Sequence, residues 1–96
     1  MKIKILESAT DDLIGGYRFY EQQDAGLGTY FLDSLFADID SLMVSPGLHS
    51  VHFGKHRLLA KRFPFAIYYT VDRRAILVCA VLDCRQDPGK ISKRLK

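Results

Sequence analysis

The sequence predicts an α+β domain in which a helical hairpin packs on a mainly antiparallel four-stranded sheet, in the order β-α-α-β-β-β-α. The first observation behind this prediction is that every residue from Ala75 to Leu82 is apolar, with β-branched residues frequent. A run this short and without a polar face is typical of a strand buried on both sides. The second is the aromatic and β-branched run Phe65–Val71 just before it. The third is a pair of amphipathic helical patterns in the first half of the chain.

Composition indicates one domain spanning residues 1–96, since 48% of the residues are apolar and their character does not change along the chain. A chain of this length buries enough surface to fold without disulfides or metals. Cys79 and Cys84 are five residues apart on one predicted strand, so they face opposite sides and cannot pair. Reduced thiols and a cytoplasmic location are therefore expected. Met1–Leu6 is too short for a signal peptide, and no apolar run approaches the length of a membrane helix.

The N-terminal half begins with the alternating pattern of Lys2–Leu6, which predicts a short half-buried strand. Ser8 and Asp11 have the spacing of a capping box, so we expect a helix from Ser8 to about Gln23. Gly15-Gly16 interrupts this helix at a cost of about 1 kcal/mol per glycine relative to alanine. Close packing against another element explains the pair better than a hinge does.

A second helix is predicted after the connector Asp24–Gly26, and it ends before Pro46-Gly47 because these residues continue a helix poorly. Its apolar stripe consists of Leu27, Phe31, Leu35, Ile39 and Leu42, widened by Leu32, Phe36 and Met43. Two amphipathic helices with so short a connector form an antiparallel hairpin, which would cover one face of the sheet.

The second half contains the remaining strands. His49–Lys55 is irregular and is expected to hold a strand start or an exposed loop around Gly54. Leu58–Phe63 is expected to be a strand that pairs with Phe65–Val71 through a turn at Phe63-Pro64. Asp72–Arg74 separates Phe65–Val71 from the apolar run and has hairpin-turn length, although it lacks the Asn-Gly or Asp-Gly pair typical of such turns.

The C-terminal segment predicts a short helix, with Asp87 as its N-cap and Pro88 as its first residue. Ile91 and Leu95 would contact the body of the domain. The formal charge of +3 is distributed unevenly, because the balance is acidic up to Asp40 and basic from Lys55 onward. Eight of the eleven acidic residues lie between Glu7 and Asp40, where Arg18 is the only basic residue: Glu7, Asp11, Asp12, Glu21, Asp24, Asp33, Asp38 and Asp40. Such a field suits a polyanion or an acidic protein partner.

The order of elements and three stretches of sequence resemble the RelE/ParE superfamily of type II toxin–antitoxin toxins, including proteins of the plasmid stabilisation type. These stretches are Leu42-Met-Val-Ser-Pro46 at the end of the hairpin, Phe65-Ala-Ile-Tyr-Tyr69 in a strand, and Ala80-Val-Leu-Asp-Cys-Arg-Gln-Asp-Pro88 at the last strand. The resemblance covers nearly the whole chain, and the last third is its most specific part.

The resemblance implies a cytosolic toxin that arrests growth and is neutralised by a cognate, acidic, partly disordered antitoxin. A homodimer or a heterotetramer with the antitoxin is an expected assembly. One branch of the superfamily cleaves mRNA on the ribosome, commonly with an arginine in the strand that matches Phe65–Tyr69. Here that position is Ala66, and no aromatic residue or histidine follows Tyr69. These departures favour the ParE-like branch, whose target is DNA gyrase; a degenerate member that retains only antitoxin binding is a third hypothesis.

The resemblance places the active surface on the predicted sheet, where Lys61, Arg62 and Arg85 are the candidate residues. The two guanidinium groups are suited to holding a phosphate and stabilising developing charge. His56 is the candidate acid or base, because imidazole titrates near neutral pH. A simpler interpretation is favoured, in which these residues solubilise a strand edge or pair with the antitoxin. The partner-binding candidates are Arg57, Lys61, Arg62, Arg73, Arg74 and Arg85.

Other patterns are interpreted as structural. Asp83 and Arg85 share one side of the last strand and are expected to form an ion pair. The spacing of His49, His52 and His56 is only a weak indication of a metal site, because no cysteine or carboxylate pattern accompanies it, and no metal or cofactor is predicted. Both cysteines are expected to be buried apolar residues. Gly26-Leu-Gly28 lacks the context of a dinucleotide loop. Core and sheet contacts are expected for Tyr17, Tyr20, Tyr30, Phe31 and Phe36.

Overall fold

A computed structural model describes residues 1–96 and contains three α-helices and five strands. The elements are β1 (Lys2–Ile5), α1 (Glu7–Gln23), α2 (Leu27–Asp40), β2 (Val51–His52), β3 (Lys55–Leu59), β4 (Phe65–Asp72), β5 (Ala75–Asp83) and α3 (Pro88–Leu95). The strands form one sheet in the order β1-β5-β4-β3-β2, in which only the β1–β5 pair is parallel. The predicted α+β class and mainly antiparallel sheet are confirmed. None of the helices combines the length and hydropathy needed to cross a membrane.

The sheet has five strands rather than the predicted four, because the irregular stretch before Lys55 contributes a two-residue edge strand. β2 and β3 form a small hairpin in which Val51 pairs with His56 and His52 with Lys55. The two turn residues both have positive φ, 55° at Phe53 and 80° at Gly54. Such a turn matches the twist of a hairpin, but it strains a bulky residue such as phenylalanine. Phe-Gly is therefore not a typical hairpin-turn pair, and only a strand start or a loop around Gly54 was predicted here.

β3 was predicted from Leu58 to Phe63, and both boundaries are wrong. The strand begins at Lys55 and ends at Leu59. The loop that follows is closed by the Ala60 amide, which donates to the Phe65 carbonyl at 2.8 Å. The Phe65 amide donates in turn to the Phe63 carbonyl at 2.7 Å, which closes a tight connection. Lys61 and Arg62 consequently lie in the loop between β3 and β4 and not on a strand.

β5 occupies the predicted range and is covered on both faces, but it is the second strand of the sheet; the middle position belongs to β4. The helical hairpin covers the face formed by Phe65, Ile67, Tyr69, Ile76, Val78 and Val81. α3 covers part of the opposite face, formed by Ala66, Tyr68, Ala80 and Leu82. The register between β4 and β5 shifts by one residue, since Tyr68 pairs with Ala80 and Tyr69 with Val78, which leaves Cys79 as a β-bulge.

The helical hairpin packs closely, as its glycines indicated. A Cβ atom on Gly16 would lie 2.5 Å from the ring of Phe31, and one on Gly28 would lie 2.7 Å from the carbonyl oxygen of Tyr17. Gly15 faces open space, so the packing argument holds for Gly16 alone of the pair. The bend between the helices is closed by Glu21, whose carboxylate accepts the amides of Gly26 and Gly28 at 2.9–3.1 Å.

The predicted capping box at Ser8 is wrong, because α1 already begins at Glu7 with Leu6 in the N-cap position. Ser8 instead donates its hydroxyl to the carbonyl of Cys79, the bulged residue, at 3.0 Å. One turn further along α1, Asp12 accepts the Val81 amide at 2.9 Å. β1 ends opposite Val78, so these two side chains satisfy backbone groups of β5 that no longer have a strand beside them.

Asp12 also holds the C-terminal helix. The guanidinium of Arg94 donates two hydrogen bonds to the two carboxylate oxygens, both at 2.8 Å. This ion pair raises the pKa of Arg94, mainly through the hydrogen bond to Asp12. The predicted start of α3 is confirmed, with Asp87 accepting the Gly89 amide at 3.3 Å and Pro88 as the first helical residue. Burial of Ile91 and Leu95 completes the attachment, as predicted.

Candidate functional site

The loop that contains Lys61 and Arg62 is fixed by a buried carboxylate. Asp38 of α2 is only 4% exposed, and it accepts the Lys61 amide at 3.1 Å. Ser41 donates its hydroxyl to the Asp38 carbonyl at 2.6 Å, which holds the end of α2 in place. Both basic side chains of the loop are exposed and form no ion pair. The loop therefore presents two free cations from a backbone that is tied to the hairpin.

Arg85 is paired with Asp83, as the sequence predicts. Its Nε and Nη2 atoms donate to the two carboxylate oxygens at 3.0 and 2.7 Å, and its amide donates to Asp83 at 2.8 Å. The side-chain hydrogen bond from Arg85 lowers the pKa of Asp83 and raises that of Arg85. A phosphate at Arg85 would have to compete with a carboxylate already bound in the bidentate geometry that guanidinium prefers.

Lys61, Arg62 and Arg85 lie at one end of the sheet. Phe65 pairs with Asp83, and the Cys84 amide donates to the Pro64 carbonyl at 2.8 Å, so the β3–β4 loop and the end of β5 are adjacent. We call this end of the domain, together with the bend between α1 and α2, the hairpin end.

The remaining basic candidates are elsewhere. Arg73 and Arg74 form the β4–β5 turn at the opposite end of the sheet, and Arg73 has a left-handed φ of 52°. The eight residues of β4 separate the two ends, which corresponds to roughly 25 Å at the rise of a strand. Arg57 lies between them, opposite Tyr68 on the sheet face that α3 partly covers. The six partner-binding candidates are therefore spread over the domain and do not form one compact patch.

His56 and His49 meet at the buried Tyr69. The Nδ1 atom of His56 lies 2.6 Å from the His49 carbonyl oxygen, and its ring stacks on Tyr69 with centroids 5.1 Å apart. A carbonyl only accepts, so Nδ1 of His56 carries the proton and Nε2 is left as the basic nitrogen. His49 Nδ1 lies 2.6 Å from the Tyr69 hydroxyl. His52 contacts the Ser50 hydroxyl at 3.0 Å instead, and the three histidines form no cluster of metal ligands.

The cysteines are less buried than expected. Cys79 is half-buried and donates a weak hydrogen bond to the Leu77 carbonyl at 3.4 Å, while Cys84 is exposed. Partial desolvation raises the pKa of the Cys84 thiol, with Arg57 opposing the shift. A raised pKa reduces the thiolate fraction, so Cys84 is not an activated nucleophile.

The hairpin end also exposes an aromatic cluster, of which Tyr20 and Tyr30 were expected to make core and sheet contacts. Phe63, in the β3–β4 loop, contacts Tyr20 and Tyr30 with ring centroids 4.8 and 5.6 Å apart, and Tyr20 contacts Phe19 at 5.1 Å. Tyr20 is buried as predicted, but Tyr30 is 49% exposed and Phe19 is 52% exposed. Phe36, also expected in the core, is 40% exposed. The apolar patterns of α1 and α2 could not indicate the part played by Phe63, because this residue reaches the helices from a loop that is distant in sequence.

Arg85 joins this cluster to the cations. The hydroxyl of Tyr20 is close enough to the guanidinium to contribute to the raised pKa of Arg85, after the larger effect of Asp83. No pocket indents the surface of the domain. The hairpin end is thus an exposed aromatic surface, with Arg62 next to Phe63 in the loop and Arg85 near Tyr20.

Comparisons with known proteins bear on the fold. No protein-family model matches the sequence, and no curated protein matches it significantly. Among solved structures, the chain is similar to one from a structure described as the chromosomal ParDE TA system from P. aeruginosa. The TM-score is 0.75 at 20% sequence identity, and the match covers 84% of this chain and 92% of that chain. The domain therefore has the fold of a chain from a ParDE toxin–antitoxin system.

Proposed function

We propose that this protein is the toxin of a type II toxin–antitoxin system, that it is of the ParE type, and that it inhibits DNA gyrase by binding to it. The observation that supports this most strongly is the fold shared with a chain of a ParDE system over most of both chains. The sequence motifs at Leu42–Pro46, Phe65–Tyr69 and Ala80–Pro88 point to the same superfamily.

The arrangement of cations supports binding rather than RNA cleavage. Ala66 is fully buried and faces α3, so the strand position that carries an arginine in the nuclease branch has no functional side chain here. The Arg85 guanidinium is already neutralised by Asp83. Only Lys61 and Arg62 remain as free cations of the predicted phosphate site.

The proposed antitoxin is an acidic, partly disordered protein that wraps the toxin. Its acidic residues would meet cations at both ends of the sheet and the exposed Lys90, Lys93 and Lys96 of the C-terminal segment. Because those cations are spread over roughly 25 Å of sheet, an extended segment suits them better than a compact domain does. Folding of such a segment costs ordering entropy, so the interface should be large. Attraction between opposite charges should make association fast and sensitive to salt.

Induction of the chain alone in a bacterium tests the proposal. We expect growth arrest with signs of DNA damage, relieved by co-expression of the acidic product of a neighbouring reading frame. The purified protein should inhibit supercoiling by DNA gyrase. Absence of growth arrest, or arrest with intact supercoiling activity, would contradict the gyrase proposal.

Ribosome-dependent mRNA cleavage is the second candidate function, and the geometry of His56 favours it. The His49 carbonyl orients the ring and leaves Nε2 free, which is how a general base is positioned. His56→Gln tests this alternative, because glutamine preserves polarity without titrating near neutral pH. Loss of mRNA cleavage in the variant, with antitoxin binding retained, would support the nuclease over the gyrase inhibitor.

A further inference from the structure

Two rings at the hairpin end are more exposed than the packing of the domain requires. Phe19 and Tyr30 come from different helices, and each leaves about half of its surface in water. They are not isolated, since both belong to the chain of ring contacts that runs through Tyr20 and Phe63. Rings held rigidly by other rings lose little entropy on binding, and they are enriched among the residues that dominate protein interfaces.

The rings have basic residues on the side of the β3–β4 loop and acidic residues on the side of α2 and the bend. Arg62 precedes Phe63 in the β3–β4 loop, and Arg85, which is paired with Asp83, follows β5 near Tyr20. Asp33 lies one helical turn after Tyr30, on the same side of α2, and Asp24 lies in the bend. A nucleic acid could stack its bases on these rings, but the nearby carboxylates would repel its phosphates. Basic residues on one side of the rings and acidic residues on the other instead suit a protein segment that carries charges of both signs.

We propose that Phe19 and Tyr30 form the surface by which the toxin engages its target protein, and that the target presents a large apolar side chain flanked by carboxylates. The apolar group packs against the two rings, and the carboxylates face Arg62, the free cation that precedes Phe63 in the β3–β4 loop. This inference rests on the proposed toxin function. It assigns the target to the exposed rings of the hairpin end, whereas the antitoxin is proposed to meet cations spread along the whole sheet.

The double variant Phe19→Ser/Tyr30→Ser tests the assignment, because both positions are exposed and the fold should survive. Val44→Ser/Leu48→Ser is the matched control, since those residues are 86% and 77% exposed and follow the opposite end of α2. Growth arrest on induction, antitoxin binding by the purified full chain and thermal unfolding are measured for each. Loss of two aromatic anchors should raise the toxin level needed for arrest at least about tenfold, with antitoxin affinity changed by less than about threefold.

Each outcome is decisive. Growth arrest at the level of the wild type and the control would overturn the assignment and leave the toxin proposal standing. A folded double variant that loses antitoxin binding as well would assign the rings to the antitoxin, which also overturns it. Loss of binding to a single-stranded oligonucleotide would indicate a nucleic-acid platform instead. If the wild-type chain does not arrest growth, the toxin proposal itself fails. Should the double variant unfold, the two single substitutions are compared in the same assays.

Discussion

Replacing Asp12 by alanine should destabilise the domain, because its carboxylate holds both β5 and the C-terminal helix. The substitution leaves the Val81 amide without its acceptor, and an unsatisfied buried donor costs about 1–3 kcal/mol. It also removes the partner of Arg94. That pair is partly solvated, with side chains 33% and 15% exposed, so we assign it no more than about 1 kcal/mol. The expected loss is about 1–4 kcal/mol of the free energy of unfolding.

Equilibrium unfolding in urea, followed by circular dichroism, measures this loss. Asp11→Ala is the control, because Asp11 is adjacent and exposed and makes no hydrogen bond. A double-mutant cycle with Arg94→Ala separates the ion pair from the amide contact. We expect a coupling energy of about 1 kcal/mol and a larger remainder that belongs to Val81. A midpoint for Asp12→Ala equal to that of Asp11→Ala would refute the role of this carboxylate.

Three further predictions concern the packing and the sheet. Gly28→Ala should lower the thermal midpoint, because its Cβ would lie 2.7 Å from a backbone oxygen of α1, whereas Gly15→Ala faces open space and should stabilise the helix by up to about 1 kcal/mol. Equal midpoints would contradict the close helix contact. Val78→Asp places an unpaired carboxylate in a fully buried site and should remove most of the stability in urea unfolding; a parental midpoint would show that β5 is not buried. Arg85→Ala should lower stability at neutral pH. Because the folded pKa of Asp83 is lowered, this difference is fully present above the ordinary aspartate value of about 3.9 and is lost as the pH falls through the lower folded value. A difference that did not shrink as the pH fell would exclude the ion pair as its cause.

Local sequence determined the elements in which a pattern of apolar residues continues over several helical turns or along a whole strand. The apolar period of α2 buries one stripe of that helix and the apolar run of β5 buries both of its faces, so their class and approximate bounds were predicted. The start of α3 was predicted as well, because Asp87 and Pro88 form a local capping signal. The Asp83–Arg85 pair was also predicted, although strand alternation is not its cause: Arg85 lies in the turn after β5, where its amide also donates to the Asp83 carboxylate.

Short elements and long-range contacts depended on the tertiary structure. β2 is two residues long and has no period of its own, so it forms only because β3 is beside it. Ser8 looked like a helix cap, but α1 already begins at Glu7 and the Ser8 hydroxyl instead donates to the Cys79 carbonyl at the bulge. The aromatic hairpin end exists because the loop carrying Phe63 folds back onto the helices. A periodic pattern records which face of one element is buried, whereas contacts between residues far apart in sequence arise only when several elements pack together.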